Sequence, residues 1–211
     1  MKGKLLGILQ AVLIGLIVLS GAIAAPILCR PFYYLHIAPL NLTEAVGLPV
    51  EDVKTAYKEM MNFCIGLTDT FSAGKLAWSA EGAAHFADVQ KLFVLDLRVL
   101  VISAVLLLLI PKKRSARLLG HTPGFWGAVG LGATFLIVGG LAALDFDRAF
   151  VIFHQLFFPG KSNWLFDGRT DPIIYMLPIE FFRNCAIAIL GIILVACAAL
   201  IAGDWKTRRK K

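Results

Sequence analysis

Four long runs of apolar side chains organise this chain. Residues 5–25, 125–144 and 186–202 carry no charged side chain, and each is long enough to cross the hydrocarbon core of a bilayer as a helix. A fourth run, 99–110, is too short to cross alone. Its span is expected to begin near residue 89 and to carry Asp96 and Arg98 inside its outer end. The pattern therefore predicts spans over about 5–25, 89–110, 125–144 and 180–202, with two long connecting segments, 26–88 and 145–179. No internal repeat or linker interrupts it, so residues 1–211 are expected to form a single membrane domain.

The connecting segments also carry helical periodicity. Val53, Tyr57, Met60 and Cys64 recur at helical spacing behind Pro49, with Glu51 and Asp52 suited to a first turn. That predicts an amphipathic helix lying on the membrane surface or over the spans. A second helix is predicted to start at Ser79, a good N-cap with Glu81 in the first turn, and to run straight into the second span. On it Glu81, His85, Asp88, Leu92 and Asp96 share one narrow stripe, which is costly in a membrane unless it faces a cavity or partners. Residues 145–158 read as an interfacial helix continuing from the third span and ended by Pro159-Gly160. Asp171-Pro172 looks like another helix start with Asp171 as cap, and Pro178 with Glu180 leads into the last span. Small residues crowd the third span, with Ala128/Gly132 and Gly139/Ala143 spaced for close helix packing. The fold class expected is an all-α integral membrane protein, four transmembrane helices with helical external loops over the outer face.

Composition supports that class. The chain is 58% hydrophobic and 17% charged, too apolar for an ordinary soluble domain. Charge then sets orientation. The N-terminal end, the short loop after span two and the C-terminal tail hold eleven basic residues against one acid, Asp204. The two long connections, counted over 26–91 and 145–183, hold nine basic and twelve acidic residues. Both termini and the short loop are therefore expected in the cytoplasm, with both long connections outside. The net charge of +7 reads as orientation and contact with anionic lipids. No base-stacking or groove-reading motif accompanies it, so no nucleic-acid partner is expected. The first span is longer than a signal-peptide core and reads as an uncleaved anchor. Cys185 and Cys197 read as packing residues. Cys29 and Cys64 would both lie outside, where a disulfide is permitted, but the sequence does not show that they approach.

Acid–base groups concentrate in two runs. One is Ser79-Ala-Glu81-Gly-Ala-Ala-His85-Phe-Ala-Asp88, and the other is Phe153-His154-Gln-Leu-Phe-Phe158 followed by Asn163-Trp164-Leu-Phe-Asp167-Gly-Arg169-Thr-Asp171. His36 and His121 read as packing residues. His85 and His154 rise above that reading because both lie on the outer side, have acids nearby in sequence and can face one pocket. Histidine accepts and returns a proton near neutral pH, and Asp88 or Glu81 can fix its tautomer. No serine sits in a nucleophile elbow and no cysteine has a clear base partner, which argues against a serine or thiol hydrolase. A metal held by His85, Asp88 and His154 ranks below proton transfer, because no three-ligand signature is local. Two rival readings stand beside acid–base catalysis: a non-enzymatic transporter or assembly factor, and a metal-dependent membrane hydrolase.

At these residues the chain resembles the bacterial lipoprotein intramolecular transacylases (Lit). The likeness rests on Ser72-Ala-Gly74, Glu81-Gly-Ala-Ala-His85-Phe-Ala-Asp88-Val-Gln-Lys91 and Phe153-His154-Gln-Leu-Phe-Phe. It continues through Asn163-Trp-Leu-Phe-Asp167, Thr170-Asp171-Pro-Ile-Ile, Leu177-Pro178 and Phe181-Phe182, with Phe32-Tyr33-Tyr34 after the first span. It departs at Gly168, where Pro stands in the Asp-Pro-x-Thr-Asp version. The resemblance implies transfer of the sn-2 acyl chain of an S-diacylglyceryl cysteine to that cysteine's own amino group, leaving a lyso-form N-acylated lipoprotein. It implies diacylated lipoproteins and membrane lipids as partners, no cofactor, and catalysis by His85 and His154. Asp88, Glu81, Trp164, Arg169 and Asp171 are the residues expected to orient the site or bind the substrate.

Overall fold

The computed structural model describes residues 2–110 and 117–209. Of the basic residues used to orient the chain, Lys112, Lys113, Arg114, Lys210 and Lys211 lie outside the described residues. The order of elements is α1 (Lys2–Leu28), α2 (Arg30–Tyr34), α3 (Leu42–Val46), α4 (Val50–Cys64), α5 (Ala80–Leu109), α6 (Pro123–Leu144), α7 (Phe146–Phe157), α8 (Ile173–Met176) and α9 (Ile179–Arg209). Among the described residues there is no strand, only an isolated bridge between Leu118 and His121. The α1, α5, α6 and α9 helices are long and apolar enough to cross a membrane, and the connecting segments are themselves helical, in keeping with the expected class. The chain divides into two compact units. One comprises Met1–Ala25, Asp96–Leu144 and Ile187–Lys211, the other Pro26–Leu95 and Asp145–Ala186.

In the first unit, apolar stretches of α1, α6 and α9 meet at Ala22, Ala128, Ile193 and Cys197. Small residues on α6 make the approach possible. A Cβ on Gly127 would come within 2.6 Å of the Ala11 carbonyl oxygen, and one on Gly139 within 2.8 Å of Leu190. Of the pairs read from sequence, Ala128 and Gly132 both face this core, Gly132 against Cys197. Large apolar side chains cover the outside of the spans. Leu108 is 85% exposed and Val195 71%, a surface that water disfavours and lipid satisfies.

The second unit is built around Tyr33. Its ring is fully buried and stacks on Tyr57 with centroids 3.6 Å apart. Its hydroxyl donates to the Met176 carbonyl at 2.9 Å, which ties α2 to α8. The α4 helix forms as its spacing predicts. Val53, Tyr57, Met60 and Cys64 are all buried, so the apolar face is covered within this unit, and Pro49 is the N-cap rather than the first helical residue. Gly74, at φ +61, packs against the Ala56 backbone while its N–H donates to Glu59 Oε2 at 3.0 Å. That turn delivers the chain to Ser79.

Two details differ from the sequence expectation. The α7 helix does not continue from the third span. Asp145 adopts an extended conformation and restarts the helix as its N-cap, accepting from the Arg148 N–H, which satisfies a donor the new helix end exposes. The carboxylate of Asp171 also does not cap its own helix, where Pro172 is the N-cap and no side chain caps. All four cysteines are free, Cys29 exposed and Cys64 buried. Burial pushes the Cys64 thiol up to about 12, so it is no nucleophile at neutral pH.

Candidate active site

The second unit brings His85 and His154 together. His85 lies on the first turns of α5 and His154 on the last turn of α7. The rings are 5.8 Å apart between centroids and inclined by 32°. Both are buried, at 5% and 8% exposure. Aromatic side chains wall them in. Phe158 and Phe166 stand edge-on to His85 at 5.0 and 5.5 Å, and Trp164 stacks on His154 at 4.6 Å and 27°.

The two imidazoles are held differently. His154 Nδ1 lies 2.8 Å from the Phe150 carbonyl oxygen. A carbonyl only accepts, so Nδ1 carries the proton and Nε2 keeps its lone pair. Burial lowers the His154 pKa below its ordinary value, with the Phe150 carbonyl working weakly the other way. His85 Nδ1 is buried and has no hydrogen-bond partner. An orphaned ring nitrogen costs about 1–3 kcal/mol.

The remaining predicted site residues separate into two groups. Asp88 is 8% exposed and one turn beyond His85. It accepts from Lys91 at 2.9 Å and from Lys161, rather than from either histidine. Trp164 joins the site through its stack. Asp171, 3% exposed, supports the site from behind. Its Oδ1 accepts from the Ser79 backbone N–H at 2.8 Å and its Oδ2 from the Thr170 hydroxyl at 2.8 Å. Ser79 in turn caps α5 by accepting from the Gly82 N–H at 3.0 Å. Glu81 is exposed, although the stripe on α5 put it beside His85. Arg169 pairs with Asp167 at 2.8 Å, its side chain 90% exposed, because the two share one tight turn. At Gly168 the Tyr175 hydroxyl occupies the space that a side chain would enter, 2.1 Å from a built Cβ.

Lys161 escaped the sequence reading. Its ammonium reaches Asp88 on the His85 helix, and its carbonyl accepts from Trp164 Nε1 at 3.1 Å. One residue thus links the carboxylate below His85 to the indole against His154. The signal was its position after Pro159-Gly160, where the chain must turn, Gly160 having φ +73. Among the described residues, no group of three His, Cys, Asp or Glu side chains is placed to hold a metal ion.

Two buried imidazoles thus lie side by side near the start of a long apolar helix, a pair able to accept and return protons. Residues 8–182 match the family model of the lipoprotein intramolecular transacylase Lit. The chain belongs to that family. Among solved structures it is similar to the lipoprotein intramolecular transacylase Lit of Bacillus cereus, with a TM-score of 0.81 and 28% identity over 98% of this chain and 97% of that one. The same Bacillus cereus protein with an H85R substitution gives 0.74 and 26%, covering 98% of this chain and 93% of that one. With an H85A substitution it gives 0.74 and 26%, covering 98% and 95%. No curated protein matches the chain significantly.

Proposed function

We propose that the chain moves the sn-2 acyl group of a lipoprotein's S-diacylglyceryl cysteine onto that cysteine's own α-amino group, with His85 and His154 as the acid–base pair. The observation that carries the assignment is the geometry of those two rings, buried side by side with one nitrogen orphaned, in a member of this family.

The chemistry needs no external energy source, because exchanging an ester for an amide is downhill. An N-terminal amine has a pKa near 8 and attacks only after losing a proton. His154 Nε2, with its lone pair free, takes the proton that the amine sheds on attack. Attack closes a ring of about eight members, so holding the substrate folded is much of the task. His85 donates a hydrogen bond to the oxyanion, and the imidazolium formed at His154 returns its proton to the departing glycerol oxygen. In balance, one N–H and one ester C–O bond break, while one amide C–N and one glycerol O–H form. Asp88, Lys161 and Trp164 position the rings, and Asp171 sets the helix that carries His85. Glu81 and Arg169, being exposed, are left to contact the substrate or the headgroup layer. Charge asymmetry supports an orientation with both termini in the cytoplasm of a bacterial membrane and the histidine pair outward, where the diacylglycerol of a lipoprotein resides.

Mass spectrometry of lipoprotein N-termini tests this in cells that lack the protein and cells that express it, with His85→Ala and His154→Ala beside the unaltered chain. N-acylated lyso-form cysteine is expected only with the unaltered chain. Full conversion by either variant removes that histidine from the pair, and no change of acyl position with the unaltered chain removes the transfer itself.

A further inference from the structure

A second cluster of polar side chains forms in the first unit, where α6 begins and α9 ends. Asp204 is 3% exposed. Its Oδ1 accepts from the Thr122 backbone N–H at 2.8 Å, and its Oδ2 lies 2.8 Å from His121 Nδ1. The His121 ring is stacked on Phe125 at 3.9 Å, so its position is set on both sides. Arg208 Nη1 approaches its other nitrogen, Nε2, at 3.2 Å. Asp204 is thus fully engaged, and among the described residues Arg208 has no carboxylate partner. Arg209 likewise lies over the Trp205 ring, at 4.7 Å, rather than against an acid. Beside these groups is a cavity of about 270 Å³, lined by His121, Phe125, Ile201, Asp204, Trp205 and Arg208.

The neighbouring turn carries an independent sign of lipid contact. Leu118 and His121 exchange backbone hydrogen bonds at 2.9 and 3.0 Å, and the two residues between them have positive φ, Leu119 at +51° and Gly120 at +83°. Leucine disfavours that conformation, yet its side chain stands 87% exposed at the tip. An exposed apolar tip beside guanidinium groups suits the boundary between headgroups and acyl chains.

We propose that this cavity binds the headgroup of an anionic phospholipid. Arg208 takes the phosphate, held at its angle by the Asp204–His121 pair. Phe125, Ile201 and Trp205 receive the glycerol and the first methylenes. The guanidinium fork matches phosphate oxygens, and the apolar wall distinguishes this place from a diffuse basic tail. The site does not depend on the acyl-transfer reading.

The full chain in nanodiscs of mixed phosphatidylglycerol and phosphatidylcholine, released into native mass spectrometry, reports which lipid stays bound. Phosphatidylglycerol is expected to be retained in preference. Arg208→Gln is expected to cut that retention about tenfold, the effect of losing a charge-assisted contact, while Lys206→Gln, an equal loss of charge at an exposed residue that does not line the cavity, leaves it in place. Arg208 is exposed, and matching thermal unfolding of the variant shows that its fold is kept. Equal retention of the two lipids overturns the proposal, as does equal loss in the two variants. Displacement of the lipid by millimolar inorganic phosphate also overturns it, since the cavity would then be a site for free anions.

Discussion

Replacing Gly82 by alanine separates helix propensity from tertiary fit. Gly82 lies in the first turn of α5, where propensity alone favours alanine by about 1 kcal/mol. A Cβ there would fall 2.2 Å from Asp171 Oδ1 and 3.1 Å from Phe166 Cε1. The Asp171 carboxylate has little room to yield. It is buried and pinned by the Ser79 N–H and the Thr170 hydroxyl, and Phe166 closes the other side. Forcing a methyl group into such a place costs about 1–3 kcal/mol, and breaking a hydrogen bond to a charged acceptor about 1.5–3 kcal/mol. Net destabilisation of about 2–4 kcal/mol is expected once propensity is set against these. His85 lies one turn further along the same helix, so a shift of its ring lowers turnover by about a hundredfold. Thermal unfolding in detergent, read beside lipoprotein acyl analysis, measures both. Gly140→Ala is the control, because a Cβ there meets nothing within 4 Å. A Gly82→Ala protein as stable as the unaltered chain, with full turnover, would refute the proposed role of Asp171 in setting α5.

Three further outcomes are expected. Burial keeps the His154 pKa below 6.5, so beneath the acid limb near 8 that the substrate amine itself sets the pH–rate profile should show a second limb below 6.5; the same group contributes stability above 6.5 that is lost as pH drops through the lowered value, and a His154→Ala protein whose residual turnover keeps the lower limb would contradict its role as base. Lys161→Met removes one of the two lysines on buried Asp88 and leaves Lys91 to pair with it, so unfolding temperature should move little while turnover falls as the Trp164 stack loosens; unchanged turnover would show that the tie does not position the indole. Gly127→Ala should destabilise the protein by about 1–3 kcal/mol, since its Cβ would meet the Ala11 carbonyl oxygen at 2.6 Å; an unfolding temperature at or above that of the unaltered chain would show that α1 and α6 readily move apart.

Local chemistry made much of this protein legible without coordinates. Runs without charge announce spanning helices because a bilayer core admits few other backbones. The spacing of Val53, Tyr57, Met60 and Cys64 announces α4 because one face of a helix repeats every three to four residues. Two histidines in aromatic runs announced candidates for proton transfer. Each of these signals lies within one segment and follows from that segment's own period or composition.

What partnered what was decided only in three dimensions. Asp171 reads as a cap from its place before Pro172, but its carboxylate meets Ser79, 92 positions away in sequence. Asp88 reads as a partner for His85, but two lysines hold it, one of them on the loop after α7. Glu81 shares a sequence stripe with His85 and still faces out, because the direction of a helix face is set by what packs against it. The pairing of His85 with His154 likewise joins two elements 69 positions apart. A short charged side chain has many acceptors and donors within reach of its type and none specified by its neighbours, so its partner is fixed by packing of the backbone around it. Periodicity in the chain therefore settles which faces are apolar, and tertiary structure settles which polar atoms meet.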